Sequence, residues 1–138
     1  RWINKSNWQG YNMIDNIEEL KGKILTKIEG GIGSDEMRFT SSTGVECALY
    51  YEDDWCASCD VVDIVGDLED LIGVPLLMAE EVTNQNVNPD GVEIPEYQDS
   101  FTWTFYKFAT IKGYVTISWY GESNGYYNES VSFRIINN

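Results

Sequence analysis

The chain predicts a mostly β fold: a single-domain antiparallel β-sheet with a C-terminal three-stranded meander and one or two short helical turns. Three observations predict it. Apolar residues recur at every second position through the last third, and glycine-bearing stretches separate short β-prone runs before it. Five Trp, nine Tyr and five Phe give a chain of 138 residues enough buriable surface for one core. The organisation expected is an amino-terminal arm over 1–12 and one β-rich domain over 13–138.

Arg1 to Asn12 is polar with isolated Trp2, Trp8 and Tyr11 and has no period that fixes a helix or strand. Ile14, Ile17 and Leu20 then fall at helical spacing, with Glu18 and Glu19 in the first turn and Gly22 at the C-terminal cap. The period changes to two over Ile24 to Glu29, Glu36 to Ser41 and Val45 to Glu52, which predicts three antiparallel strands joined by glycine-bearing turns. Asp60 to Val65 is a fourth β-branched run, ended by Gly66. Asp67 to Gly73 reads as a short helical turn, with Asp67 as N-cap, Asp70 reaching back, and Gly73 before Val74-Pro75 as the stop. Leu76 to Val82 is a further strand, and Thr83 to Ser100 a long polar loop expected to be mobile.

Phe101 to Ile111 carries aromatic residues on both faces, as a central strand should, and Lys112-Gly113 supplies a turn. Val115, Ile117 and Trp119 alternate with Tyr114, Thr116, Ser118 and Tyr120, while Val131, Phe133 and Ile135 alternate with Ser130, Ser132 and Arg134. A two-residue Asn124-Gly125 loop would put the two apolar faces on opposite sides. The predicted hairpin therefore has an odd loop, of three residues over Ser123 to Gly125 or of five.

Charge bounds the partners. Fifteen carboxylates and no Lys, Arg or His lie between Phe39 and Tyr106, and the whole chain has a formal net charge of −14. Such a surface repels nucleic acid and anionic membranes and attracts cations or a basic protein. The expected partner is a basic protein, with no direct nucleic acid and no membrane, and a small ligand as the alternative. Three cysteines, with no leader or long apolar run in the sequence, fit a reducing cytoplasm, and the two N-x-S sequons at Asn4 and Asn128 are read as chance.

Cys56-Ala57-Ser58-Cys59 has the spacing of a redox dithiol or half a zinc site, but only Cys47 remains as a further thiolate and there is no His. Buried or incidental cysteines are the simpler reading. Asp60, Asp63, Asp67, Glu69 and Asp70 do not have the spacing of a calcium loop, and capping accounts for Asp67 and Asp70. Trp103, Trp119, Tyr120, Tyr126 and Tyr127 beside Glu122 and Glu129 suggest a sugar platform or a glycosidase pair, against a default of core for Trp119 and an exposed binding surface for the three tyrosines. No metal, cofactor or catalytic residue is assigned. The residues expected to meet a partner are Asp53, Asp54, Asp60, Asp63, Glu69, Tyr120, Tyr126 and Tyr127.

Three runs carry a family likeness: Gly66 to Gly73 with Pro75 to Val82, Thr102 to Ile117, and Trp119 to Tyr127. Over about Met13 to Ile136 the chain resembles a small domain family of unknown function associated with phages and Firmicutes genomes. The family pattern also has a His, an Asp, two adjacent Cys and a Glu, where this chain has Tyr51, Asp54, Trp55, Cys56 and Ala57. The resemblance implies a phage or prophage setting and no established activity. The expected function is that of a non-enzymatic acidic phage accessory protein in the cytoplasm of a bacterial host, inhibiting a host nucleic-acid-binding or defence protein. A module that sequesters a nucleotide-like or sugar ligand is the alternative, and a virion component a third reading.

Overall fold

The computed structural model describes residues 16–52, 57–94, 98–125 and 128–137. The amino-terminal arm, Met13 and Ile14 lie outside them.

Ile17–Leu20 forms a single 3₁₀ turn, η1, and buries Ile17 and Leu20. It starts at Asn16, whose side chain accepts from the Glu18 N–H at 2.8 Å while Glu19 reaches back to the Asn16 N–H at 3.1 Å. This reciprocal capping box satisfies two of the donors that a helix start leaves open. Strands β1 (Leu25–Glu29), β2 (Glu36–Ser41) and β3 (Glu46–Tyr50) follow as the alternation predicts. β4 spans Ser58–Val65, and Gly66 beyond it has a φ of +102°. Its added Cβ would stand 2.3 Å from the Tyr114 carbonyl oxygen, so glycine alone fits there.

The second 3₁₀ turn, η2, is Leu68–Leu71. Asp67 caps it by accepting from the Glu69 N–H at 3.0 Å. Asp70 does not complete a capping box as expected; its carboxylate lies against Gly113, where a Cβ would stand 2.8 Å away. β5 (Met78–Gln85), β6 (Ser100–Thr110), β7 (Gly113–Ser123) and β8 (Ser132–Asn137) complete the set.

All pairings between named strands are antiparallel, in two four-stranded sheets ordered β1-β2-β3-β8 and β4-β7-β6-β5. The mostly β, antiparallel expectation holds, and the position of the meander is corrected. The consecutive triplet is β5-β6-β7, and β8 pairs with β3, placing Leu49 opposite Phe133 and Cys47 opposite Ile135. β7 has no free edge for β8, because β6 occupies one side and β4 the other. The alternation of Val131, Phe133 and Ile135 identified a strand with one buried face, and that face closes the first sheet rather than the second.

The two inner faces share one core. Phe39 and Phe108 meet across it at 5.7 Å, with Leu25, Met37, Leu49, Val61, Leu71, Ile117 and Trp119 around them. Each such side chain stabilises the fold by roughly 1.5–3 kcal/mol on burial. Trp119 is core as expected, and its indole N–H is the one buried side-chain polar atom without a partner among the described residues. The β1 and β4 edges are stitched together. The β1–β2 loop exchanges Gly33 N–H to Val61 O at 2.7 Å and Val61 N–H to Ser34 O at 2.9 Å; separately, Ile24 before β1 bridges Pro75 in the η2–β5 connection. No helix among the described residues is long and apolar enough to cross a membrane.

Candidate partner-binding face

Folding separates the charges of the two sheets. The strands of the first carry Lys27, Arg38 and Arg134 against Glu29, Glu36 and Glu46. Those of the second carry Lys107 alone against Asp60, Asp63, Glu80, Glu81 and Glu122. Both ion pairs found among the described residues, Lys27–Glu29 at 3.2 Å and Arg38–Glu36 at 2.5 Å, lie on the first sheet. The cation-free sequence between Phe39 and Tyr106 supplies β4, β5 and most of β6, and the topology gathers all three into one sheet.

On the second sheet, alternate residues face outward. Phe101, Trp103, Phe105 and Lys107 do so on β6, Tyr114, Thr116, Ser118, Tyr120 and Glu122 on β7, and Asp60 and Asp63 on β4. Asp60 stands opposite Tyr120, and Asp63 opposite Ser118 beyond a bulge in β4. Asp63 is exposed and Asp60 half-buried. Burial, then the charge of Asp35 brought in by the stitched β1–β2 loop, raises the Asp60 carboxyl above its ordinary range.

Tyr120 anchors this face. It is three residues inside the end of β7 rather than beside the turn, and half-buried rather than exposed. Its hydroxyl donates to Glu122 Oε2 at 2.7 Å and accepts from Gln98 Nε2 at 2.7 Å. Its ring lies 6.0 Å from Phe101 and 4.9 Å from Trp103. Burial, then the hydrogen bond to Glu122, pushes its phenol up to about 12.

The polar loop after β5 is pinned across this aromatic floor. It leaves β5 through Asn86, whose φ of +58° is left-handed and whose side chain accepts from the Phe101 N–H at 3.0 Å. Asn88 Oδ1 accepts from Trp103 Nε1 at 3.1 Å, and the Asn88 and Gln98 amides exchange two hydrogen bonds of 2.9 and 3.2 Å. Trp103 is only 7 % exposed as a result and is no open sugar platform. Asn88 and Gln98 were not singled out by sequence reasoning, since two amides ten residues apart show no period.

Of the other predicted partner residues, Glu69 stands on η2, where Lys112 Nζ donates to the carbonyls of Glu69 and Ile72, so it is not brought onto this face. Asp53, Asp54, Tyr126 and Tyr127 lie outside the described residues, as does Cys56. Cys47 and Cys59 are free and buried, and burial pushes each thiol up to about 12, which opposes thiolate chemistry. Glu122 and Glu129 stand on opposite faces of the second sheet. Glu122 faces outward from β7, whereas Glu129 is buried over its inner face, bonded to Ser123 and Thr102. The described residues contain no group of three or more His, Cys, Asp or Glu able to hold a metal.

These features define an eight-stranded antiparallel β-sandwich with one acidic, aromatic-floored sheet. By family the chain belongs to a domain of unknown function, DUF7448, whose model matches residues 18–133. No curated protein and no solved structure matches the chain.

Proposed function

We propose that the protein acts by binding rather than by catalysis, and that the outer face of the second sheet meets a basic surface on a partner protein. Asp60, Asp63 and Glu122 supply the field, and Tyr120 supplies a semi-rigid aromatic contact at their centre. The observation that carries this reading is the separation of charge: four carboxylates, Asp60, Asp63, Glu80 and Glu122, share the outward register of this sheet with Lys107 alone, whereas the other sheet carries a balanced set. Duplex DNA presents about one negative charge per 1.7 Å of axis, so a rigid acidic sheet competes for the same basic clefts. The partner class this favours is a nucleic-acid-binding or defence protein of a bacterial host, with the chain as a phage accessory protein in its cytoplasm.

The test uses the purified protein as bait in host lysate, beside a Asp60→Asn/Asp63→Asn/Glu122→Gln variant. A basic protein retained at low salt, displaced by duplex DNA and lost from the variant is the expected result. Retention that survives both high salt and the triple substitution overturns the proposal.

A further inference from the structure

A second feature lies on the other face of the same sheet. Between β7 and β8, Glu129 is only 6 % exposed, yet no Lys or Arg of the described residues pairs with it. We infer that the cleft beside it binds a small organic cation, a primary ammonium or guanidinium group, with Glu129 as counter-ion.

The carboxylate is held before any ligand arrives. Thr102 Oγ1 donates to Oε1 at 2.9 Å and Ser123 Oγ donates to Oε2, while the Ser123 oxygen is itself fixed by the Gly125 N–H at 2.9 Å. From below, Gly121 admits the Glu129 backbone so closely that a Cβ there would stand 2.2 Å from its carbonyl oxygen. At the neighbouring residue, Tyr51 Oη donates to the Asn128 carbonyl at 2.7 Å. A carboxylate offers about four acceptor positions, and the two hydroxyls use two. A buried charge without a counter-ion is costly, and the cost falls when a cation with N–H donors is placed beside it.

The cleft has the size and lining for such a group. Its volume is about 230 Å³, and Gln85, Ser100, Thr102, Asn128 and Ser130 surround Glu129 with neutral polar atoms. That exceeds the ~30 Å³ share of one water and falls below the ~300–1,000 Å³ of drug-sized pockets. A hard divalent ion wants six or more oxygens, commonly with several carboxylates, and among the described residues Glu129 is the one carboxylate lining this cleft. An ammonium needs a few acceptors and one counter-charge. The group can belong to a free amine or to a lysine or arginine side chain, and the inference does not depend on the partner proposed for the outer face.

The experiment is an amide NMR titration of the full chain with butylammonium chloride, with sodium chloride and tetramethylammonium chloride at equal ionic strength as controls. Saturable shifts confined to Thr102, Gly125, Glu129 and Ser130 are expected from butylammonium alone, because tetramethylammonium has no N–H to donate. Glu129→Gln should weaken binding roughly tenfold or more. Should Glu129→Gln fail to fold, Gln85→Lys serves, since it tethers an ammonium at the cleft and should abolish the butylammonium shifts. A capped Gly-Lys-Gly peptide binding tighter than butylammonium assigns the site to a protein side chain, and the reverse order to a free amine. Equal shifts from all three salts, or butylammonium shifts that survive Gln85→Lys, overturn the inference.

Discussion

Asp60 occupies a position that stability alone would give to a neutral residue. Its carboxyl is raised by burial and then by Asp35, so the folded protein binds that proton more tightly than the unfolded chain does. A raised acid contributes stability that is fully present below the unfolded value near 3.8 and is lost as pH rises through the raised value. At neutral pH the contribution is gone and the ionised group is a liability. Asp60→Asn should therefore raise Tm at about pH 7 and leave it unchanged at about pH 3. Asp35→Asn should give a smaller gain of the same sign, and the two should be less than additive, since each removes the same repulsion. Equal gains at both pH values would mean that packing, not ionisation, sets the cost of Asp60. If the substitution also lowers partner binding, the acid is retained for function against stability.

Among the elements, the strap made by Asn86, Asn88 and Gln98 most changes what the second sheet can present. Asn88 takes the Trp103 indole proton and both Gln98 amide contacts, so Asn88→Ala leaves those polar groups without their partner. The expected loss is about 1–2 kcal/mol, read in denaturant melts. Faster amide exchange at Val87 and Gln98 and stronger acrylamide quenching of tryptophan should accompany it. Unchanged exchange would show that the strap is held by its ends. The bonds made by Asn88 and Gln98 were not legible in the sequence, for a physical reason. Two amides closing on one indole across a sheet are a tertiary event, invisible to a reading of polarity and length. The elements themselves were legible, because alternation marks a half-buried strand and Asp67 and Gly66 punctuate locally. Partners were not: Val131, Phe133 and Ile135 mark a buried face equally well in either sheet, and only the occupied edges of β7 send β8 to β3. The site was legible in part. Asp60, Asp63 and Tyr120 do meet on one face, Glu69 does not, and Glu129, read from the sequence beside Glu122 in a sugar platform or glycosidase pair, lies beyond β7 and is buried on the opposite face.

For the whole molecule, a formal charge of −14 over 138 residues, with a sheet that carries five carboxylates and Lys107, makes self-repulsion a standing cost of the compact state. Salt relieves it. The Debye length falls from about 30 Å at 0.01 M to about 10 Å at 0.1 M, which takes it from about the diameter of a small domain to about the separation of packed sheets. Tm should therefore rise with sodium chloride over that range, by about 3–5 °C if about 1 kcal/mol of repulsion is screened, and then level off. The Asp60→Asn/Asp63→Asn/Glu122→Gln variant should begin from a higher Tm and show a shallower salt slope, because three of the charges that salt screens are gone. A slope unchanged by the triple substitution would place the repulsion elsewhere on the chain. The acidic sheet would then no longer be the dominant source of the field, and the case for a basic partner on that face would weaken with it.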